Sequence, residues 1–133
     1  MKKVLVIDDE LSIRLLLREI IEDIDMEVFE AETAIVGLQM LEEMQFDLII
    51  MDIQMPQMNG LDAMRKLREL ADTPVFILTA FSHLEGVVEN LGVEIQGFIE
   101  KPFDIDELAE KIKKQVEADN DGQLEKKLNL LNA

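Results

Sequence analysis

Cysteine is absent and histidine occurs once, at His83. Disulfide frameworks, thiolate metal sites and histidine-based metal or catalytic sites are therefore excluded. No apolar run approaches the roughly 20 residues that a membrane span requires. Met1-Lys2-Lys3 is basic, but the apolar run behind it stops at Ile7 and meets Asp8-Asp9-Glu10, unlike a signal peptide. Basic residues are scarce, 13 against 29 acidic ones, for a net charge of −16. Clustered Lys and Arg are what phosphate backbones and anionic lipids attract, so direct binding to nucleic acid or membrane is not expected. A glycine-rich phosphate loop is also missing, which disfavours a nucleotide or flavin module. Internal repeats and low-complexity segments are lacking too. These absences predict a soluble, cytoplasmic protein.

What is present is one domain's worth of chain, 133 residues with 48% hydrophobic content, enough to bury a core without staples. Leu48-Ile49-Ile50-Met51-Asp52 is an apolar run ending on a carboxylate, followed by a loop holding Met55-Pro56 and Asn59-Gly60. Such a run suits a strand buried on both faces. Further strands are expected at Lys3–Ile7, at Val28–Ala31 near an edge, at Pro74–Thr79 and at Gly97–Lys101, the last halted by Pro102. Helices alternate with them. The first carries Ile13, Leu16, Leu17, Ile20, Ile21 and Ile24 on one face; the second is capped by Thr33 and carries Leu38, Leu41 and Met44. A third follows Gly60 with Leu61, Met64, Leu67 and Ala71. Asn59-Gly60 there reads as a loop-to-helix turn rather than a hairpin. Ser82 with Glu85 and Asp104 with Glu107 read as capping boxes for the fourth and fifth helices. The fourth ends near Gly92, and the fifth buries Ile105, Leu108, Ala109, Ile112 and Val116. Five strands alternating with five helices give an α/β class, a doubly wound five-stranded parallel sheet with right-handed crossovers. The domain is expected over residues 1–118. Ala118-Asp119-Asn120-Asp121-Gly122 reads as a hinge or linker, and residues 119–133 as a tail. That tail is a frayed terminus or a short amphipathic helix carrying Leu124, Leu128 and Leu131.

Four of these strands deliver a functional polar group to the same sheet edge: Asp8-Asp9, Asp52, Thr79 and Lys101. Open α/β sheets place their chemistry at the carboxyl ends of the strands. Converging carboxylates repel one another unless a cation sits among them. Oxygen-only donors suit Mg²⁺, and Lys101 and Thr79 add an ammonium and a hydroxyl suited to phosphoryl oxygens. A carboxylate nucleophile in that company supports in-line phosphoryl transfer.

Asp-Asp after the first strand, Asp52 with Met-Pro-x-Met-Asn-Gly behind it, Thr-Ala after the fourth strand and Lys-Pro-Phe after the fifth resemble the receiver domain of two-component response regulators, chemotaxis receivers among them. The resemblance covers roughly residues 2–118 and implies the flavodoxin-like strand order 2-1-3-4-5. It implies that Asp52 accepts a phosphoryl group from a sensor histidine kinase or a histidine phosphotransfer protein. Magnesium, with manganese as a substitute, would be held by Asp9, Asp52 and the main-chain carbonyl of Gln54, with Asp8 acting through water. Thr79 and Lys101 would hold the phosphoryl oxygens, with a cis bond before Pro102. Phe98 would be the switch aromatic, against its plainer reading as a core residue. Ala80 would be the small residue beside the site, and Gln54 and Phe81 would tune water access to the acyl phosphate. Pro56 and Gly60 would shape the loop behind Asp52.

The implied activity is a signalling phosphoacceptor that catalyses only its own phosphorylation and dephosphorylation. Its output face would comprise the fourth helix, fifth strand and fifth helix, serving a target protein or output domain, with phosphorylation-dependent dimerisation open. Two readings compete. A Mg²⁺-dependent aspartyl-phosphate phosphatase wants two Asp separated by one residue, whereas Asp8 and Asp9 are adjacent. A phosphorylation-independent binding module would not need the intact constellation. One departure from the family stands at Val93-Glu94-Ile95-Gln96-Gly97, where a Gly-Ala turn is usual.

Overall fold

The structure is a computed structural model and describes residues 1–55, 58–80 and 94–132, with side chains described as far as residue 118 apart from Met55 and Met58. Elements follow in the order β1 (Lys3–Ile7), α1 (Leu11–Asp23), β2 (Glu27–Ala31), α2 (Ala34–Glu43), β3 (Leu48–Asp52), α3 (Gly60–Leu70), β4 (Val75–Thr79), β5 (Gly97–Glu100) and α4 (Ile105–Asn132). The five strands form one sheet in the order β2-β1-β3-β4-β5. Every neighbouring pair is parallel, with Val4 beside Leu48, Ile49 beside Val75 and Ile77 beside Phe98 in register. The expected class and strand order hold, with β2 at one edge as its weaker pattern implied. The expected fourth helix, with Ser82, His83 and Glu85, lies outside the described residues, as do Pro56 and Phe81.

Period-two alternation splits the strands between two apolar layers. Leu5, Ile7, Ile49, Met51 and Ile77 face Leu41, Ala63, Met64 and Leu67 of α2 and α3. Val4, Val6, Leu48, Ile50, Phe76 and Leu78 face Leu17, Ile20, Ile21, Leu108, Ile112 and Val116 of α1 and α4. A strand covered on both sides has no polar face, which is why β3 reads as an unbroken apolar run. Ile21 and Ile112 are fully buried. Each such side chain stabilises the fold by roughly 1.5–3 kcal/mol, and its truncation to Ala costs about 2–5 kcal/mol once the cavity is counted.

Helix starts follow local chemistry. The Thr33 hydroxyl accepts from the Val36 N–H at 3.1 Å, Asn59 Oδ1 from the Leu61 N–H at 2.9 Å, and Asp104 Oδ1 from the Glu107 N–H at 2.9 Å. Asn59-Gly60 therefore opens α3, as read. Gly60 is required there because a Cβ would run into the main chain of Ile53, and backbone cannot give way as a side chain does. Two features were not expected. Gln54–Met55 pairs antiparallel with Met58–Asn59 as a short ribbon behind β3. The backbone of α4 also continues helically through 118–122 to Asn132, where a hinge was expected. One Gly costs a helix only about 1 kcal/mol relative to Ala, so composition alone does not break it.

Candidate functional site

The carboxyl ends of β1, β3, β4 and β5 meet at one edge of the sheet. Asp8 follows β1, Asp52 and Thr79 are the last residues of β3 and β4, and Lys101 comes one residue after β5. Parallel pairing puts these ends side by side, since Asp52 stands in register with Leu78 and Thr79 with Glu100. Asp8, Asp52 and Thr79 are buried, at 0%, 3% and 2% exposure. Ionisable side chains are rarely so enclosed without a partner.

The partner is Lys101. Its Nζ donates to Asp52 Oδ2 at 3.1 Å and to Asp8 Oδ2 at 3.5 Å, and stands 3.7 Å from Glu10 Oε1. The other carboxylate oxygens are held by main chain: Asp52 Oδ1 accepts from the Gln54 N–H at 2.7 Å, and Asp8 Oδ1 from the Glu10 N–H at 2.8 Å. Burial lifts the Asp8 carboxyl to a pKa of about 6, and the negative charges of Asp52 and Glu10 add to the rise, against the Glu10 N–H and Lys101. Burial pulls the Lys101 ammonium down, but its hydrogen bond to Asp52 and the charges of Asp52, Asp8 and Glu10 outweigh this and leave it above the ordinary lysine value.

One carboxylate oxygen from each of Asp8, Asp9, Glu10 and Asp52 lies within 4.8 Å of the others. A cluster of hard oxygen donors without nitrogen or sulfur fits a small divalent cation such as Mg²⁺. Four carboxylates against one ammonium also leave a charge deficit that such a cation would relieve.

Asp8, Asp9, Asp52 and Lys101, singled out in the sequence, thus come together, with Thr79 buried on the adjoining strand tip. The Lys101–Pro102 peptide is cis, as expected. Phe98 is half-buried and packs against the layer beneath α2 and α3, while its carbonyl accepts from Lys111 Nζ at 2.7 Å. Ala80 is exposed just after β4, and Gln54 is exposed beside Asp52. Glu10 was missed. Its signal was a third consecutive acid after β1, but its reach to Lys101 depends on a contact 91 positions away in sequence, read from residues 10 and 101. Arg14, which donates to the Asp8 carbonyl at 2.7 Å, was also missed, because its placement depends on its second bond, to Glu30 on β2.

A model of the response regulator receiver domain matches residues 4–113. The transcriptional regulatory protein YdfI of Bacillus subtilis is 36% identical over 103 residues, 76% of this chain and 48% of that protein. The chain thus spans about half the length of that relative. Sporulation initiation phosphotransferase F of the same bacterium is 29% identical over 85% of this chain and 92% of its own length. Among solved structures, the response regulator protein TrrA of Thermotoga maritima, in complex with Mg²⁺-BeF, superposes with a TM-score of 0.77 and 35% identity, covering 86% of this chain and 99% of that one.

Proposed function

The chain belongs to the response regulator receiver domain family, and we propose that Asp52 is the residue on which it accepts a phosphoryl group, in a Mg²⁺-dependent reaction. The observation that carries the assignment is the Lys101 ammonium 3.1 Å from Asp52 Oδ2 within a four-carboxylate cluster. A carboxylate set beside a fixed cation is placed both to attack a phosphorus atom and to have the product's charge neutralised. Asp9, Asp52 and the main-chain carbonyl of Gln54 would hold the metal, with Asp8 acting through water. Bound there, Mg²⁺ would supply charge neutralisation for the transferring phosphoryl group.

The chain's own groups divide the remaining work. An oxygen of the ionised Asp52 carboxylate forms the new P–O bond as the donor's P–N bond breaks, and the imidazole, already protonated on its other ring nitrogen, leaves as the neutral base. Lys101, already within reach of Asp52, moves its donor bonds from carboxylate to phosphoryl oxygen. The Thr79 hydroxyl holds a second phosphoryl oxygen from the neighbouring strand tip. Burial of Asp52 and Thr79 keeps bulk water off the reacting atoms.

The donor is a phosphohistidine on a sensor kinase or a histidine phosphotransfer protein. Leu11 and Leu15 of α1 and Ile105 of α4 are exposed apolar side chains on helices that start near the site, and such side chains suit a partner's docking. The output face would comprise the expected fourth helix, outside the described residues, with β5 and the helix after it, α4, where Phe98, Phe103, Leu108 and Lys111 line a shallow cavity of about 300 Å³. Inward movement of Phe98 with Thr79 would change that surface. The receiver domain would occupy residues 1–118 and act in the cytoplasm. Among the described residues, no helix is long and apolar enough to cross a membrane.

The test is labelling with acetyl phosphate and Mg²⁺, read by intact mass and peptide mapping. The wild type gains one phosphoryl group on Asp52, and Asp52→Asn gains none. Persistent labelling of that variant at another residue overturns the assignment.

A further inference from the structure

Behind the pocket, on its β2 side, lies a chain of ionic hydrogen bonds that phosphoacceptance does not itself require. Arg14, on the first turns of α1, donates through a terminal guanidinium nitrogen to the Asp8 main-chain carbonyl at 2.7 Å and through Nε to Glu30 Oε1 at 3.2 Å. Its side chain is 12% exposed. Arg18 holds the other oxygen of Glu30, with two donors at 2.8 Å and 2.6 Å to Oε2. Glu30 lies on β2 next to Ala31, whose carbonyl accepts from the Asp8 N–H at 3.1 Å. Both main-chain groups of Asp8 are therefore tied to the β2 side of the sheet, one directly and one through Arg14 and Glu30.

We propose that Arg14 is a positioning residue for the metal pocket, holding the Asp8-Asp9-Glu10 turn in the geometry that takes a divalent cation, and that Glu30 acts on the pocket by holding Arg14. The inference rests on the reading of that pocket as a metal site. Three observations carry it. Within the turn the Glu10 N–H donates to Asp8 Oδ1 at 2.8 Å, but Glu10, at the N-cap of α1, adds no side-chain capping bond of its own. The carbonyl that Arg14 holds belongs to the residue whose carboxylate enters the cluster, so a shift of that peptide moves Asp8 and Asp9 together. The guanidinium also acts by geometry rather than by net charge, since Arg14 and Arg18 together face two carboxylates, the Glu30 they share and the Glu22 that pairs with Arg18. Arg suits the position because a planar fork can bond a carbonyl and a carboxylate at once, which an ammonium on a flexible stem does less well. Groups that orient metal ligands in this way typically change affinity by about 10–100-fold when removed.

The experiment is Mg²⁺ titration by calorimetry, below each variant's melting temperature, for the wild type, R14M, R14K, E30Q, R14M/E30Q and R18M. R14M is expected to raise the Mg²⁺ Kd about 10–100-fold. R14K should fall between R14M and the wild type. E30Q should raise Kd less than R14M does, and R14M/E30Q should match R14M, because Glu30 has nothing left to hold. R18M should stay near the wild type, since Glu30 keeps its bond to Arg14 through the other oxygen. If R14M does not fold, R14K and E30Q carry the same comparison. Wild-type affinity in folded R14M or R14K overturns the proposal, as does an E30Q effect undiminished in the R14M background. A wild type that binds no Mg²⁺ fails the metal-site reading itself, and that outcome differs from a wild type that binds and variants that bind equally well.

Discussion

The two ends of the sheet solve the same problem in opposite ways. At the amino end of β4 and β5, Arg68 donates to the carbonyls of Ala71, Thr73 and Glu94 at 3.2, 2.7 and 2.8 Å and to Gln96 Oε1 at 3.3 Å. Gln96 Oε1 in turn accepts from the Val75 N–H at 2.6 Å. A single cation there serves neutral acceptors, and burial draws its guanidinium below the usual arginine value. At the carboxyl end, one ammonium faces four carboxylates, and burial lifts Asp8 to a pKa of about 6. The first end is closed and serves stability. The second is held in an electrostatically unfavourable state that a proton on Asp8 or an added cation relieves, which is how a site that must bind is distinguished from one that must merely hold.

Substitutions that separate binding from stability would break or sharpen this contrast. The largest effect is expected at Asp9, which is half-buried and in the cluster. Asp9→Asn should weaken Mg²⁺ binding by about 100-fold, or about 2.7 kcal/mol, while its thermal unfolding without metal stays near the wild type. Calorimetric titration beside a melting curve reads both quantities.

Asp8 should respond to pH. Its folded-state pKa of about 6 lies above its ordinary 3.8, so folding favours the protonated form. That contribution is present in full below about pH 4 and is lost as pH rises through about 6, an amount on the order of 3 kcal/mol. Asp8→Asn should therefore be more stable than the metal-free wild type at pH 7.5 by up to that amount, with the gap closing toward pH 4. Urea unfolding across that range checks it. Since a cation needs the ionised carboxylate, wild-type Mg²⁺ affinity should also fall by up to tenfold per pH unit below about 6.

The opposite end should behave in reverse. Arg68→Met should cost about 2–3 kcal/mol of stability, the scale of losing charge-assisted bonds to partly buried acceptors, and leave Mg²⁺ affinity unchanged. Smallest of all, Asp104→Ala should remove the cap of α4 for about 1 kcal/mol, again without a change in metal binding.

Much of this contrast could be read from sequence, and the rest could not for a definite reason. The unbroken Leu48–Met51 run announced a strand covered on both faces, and the helical spacing of Leu17, Ile20 and Ile21 announced the layer over it. Strand ends carrying Asp8, Asp52, Thr79 and Lys101 then followed from parallel pairing. The cis bond before Pro102 was legible only through family resemblance. What escaped were contacts closed by the fold: Glu10 with Lys101, Arg14 with Glu30, and Arg68 with the Glu94–Gln96 segment. That last contact fills the place where the sequence departs from the family's usual turn. No local pattern marks which surface-like charge will meet which backbone carbonyl. The continuous α4 also escaped, because Gly122 biases a helix without breaking it.

The central claim is tested most directly by time-resolved labelling with acetyl phosphate, with and without Mg²⁺, mapped to the residue. The account predicts one phosphoryl group per chain, on Asp52, formed with Mg²⁺ and lost when the metal is chelated beforehand. Equal labelling without Mg²⁺, or a folded, Mg²⁺-bound chain that never labels at Asp52, would contradict it.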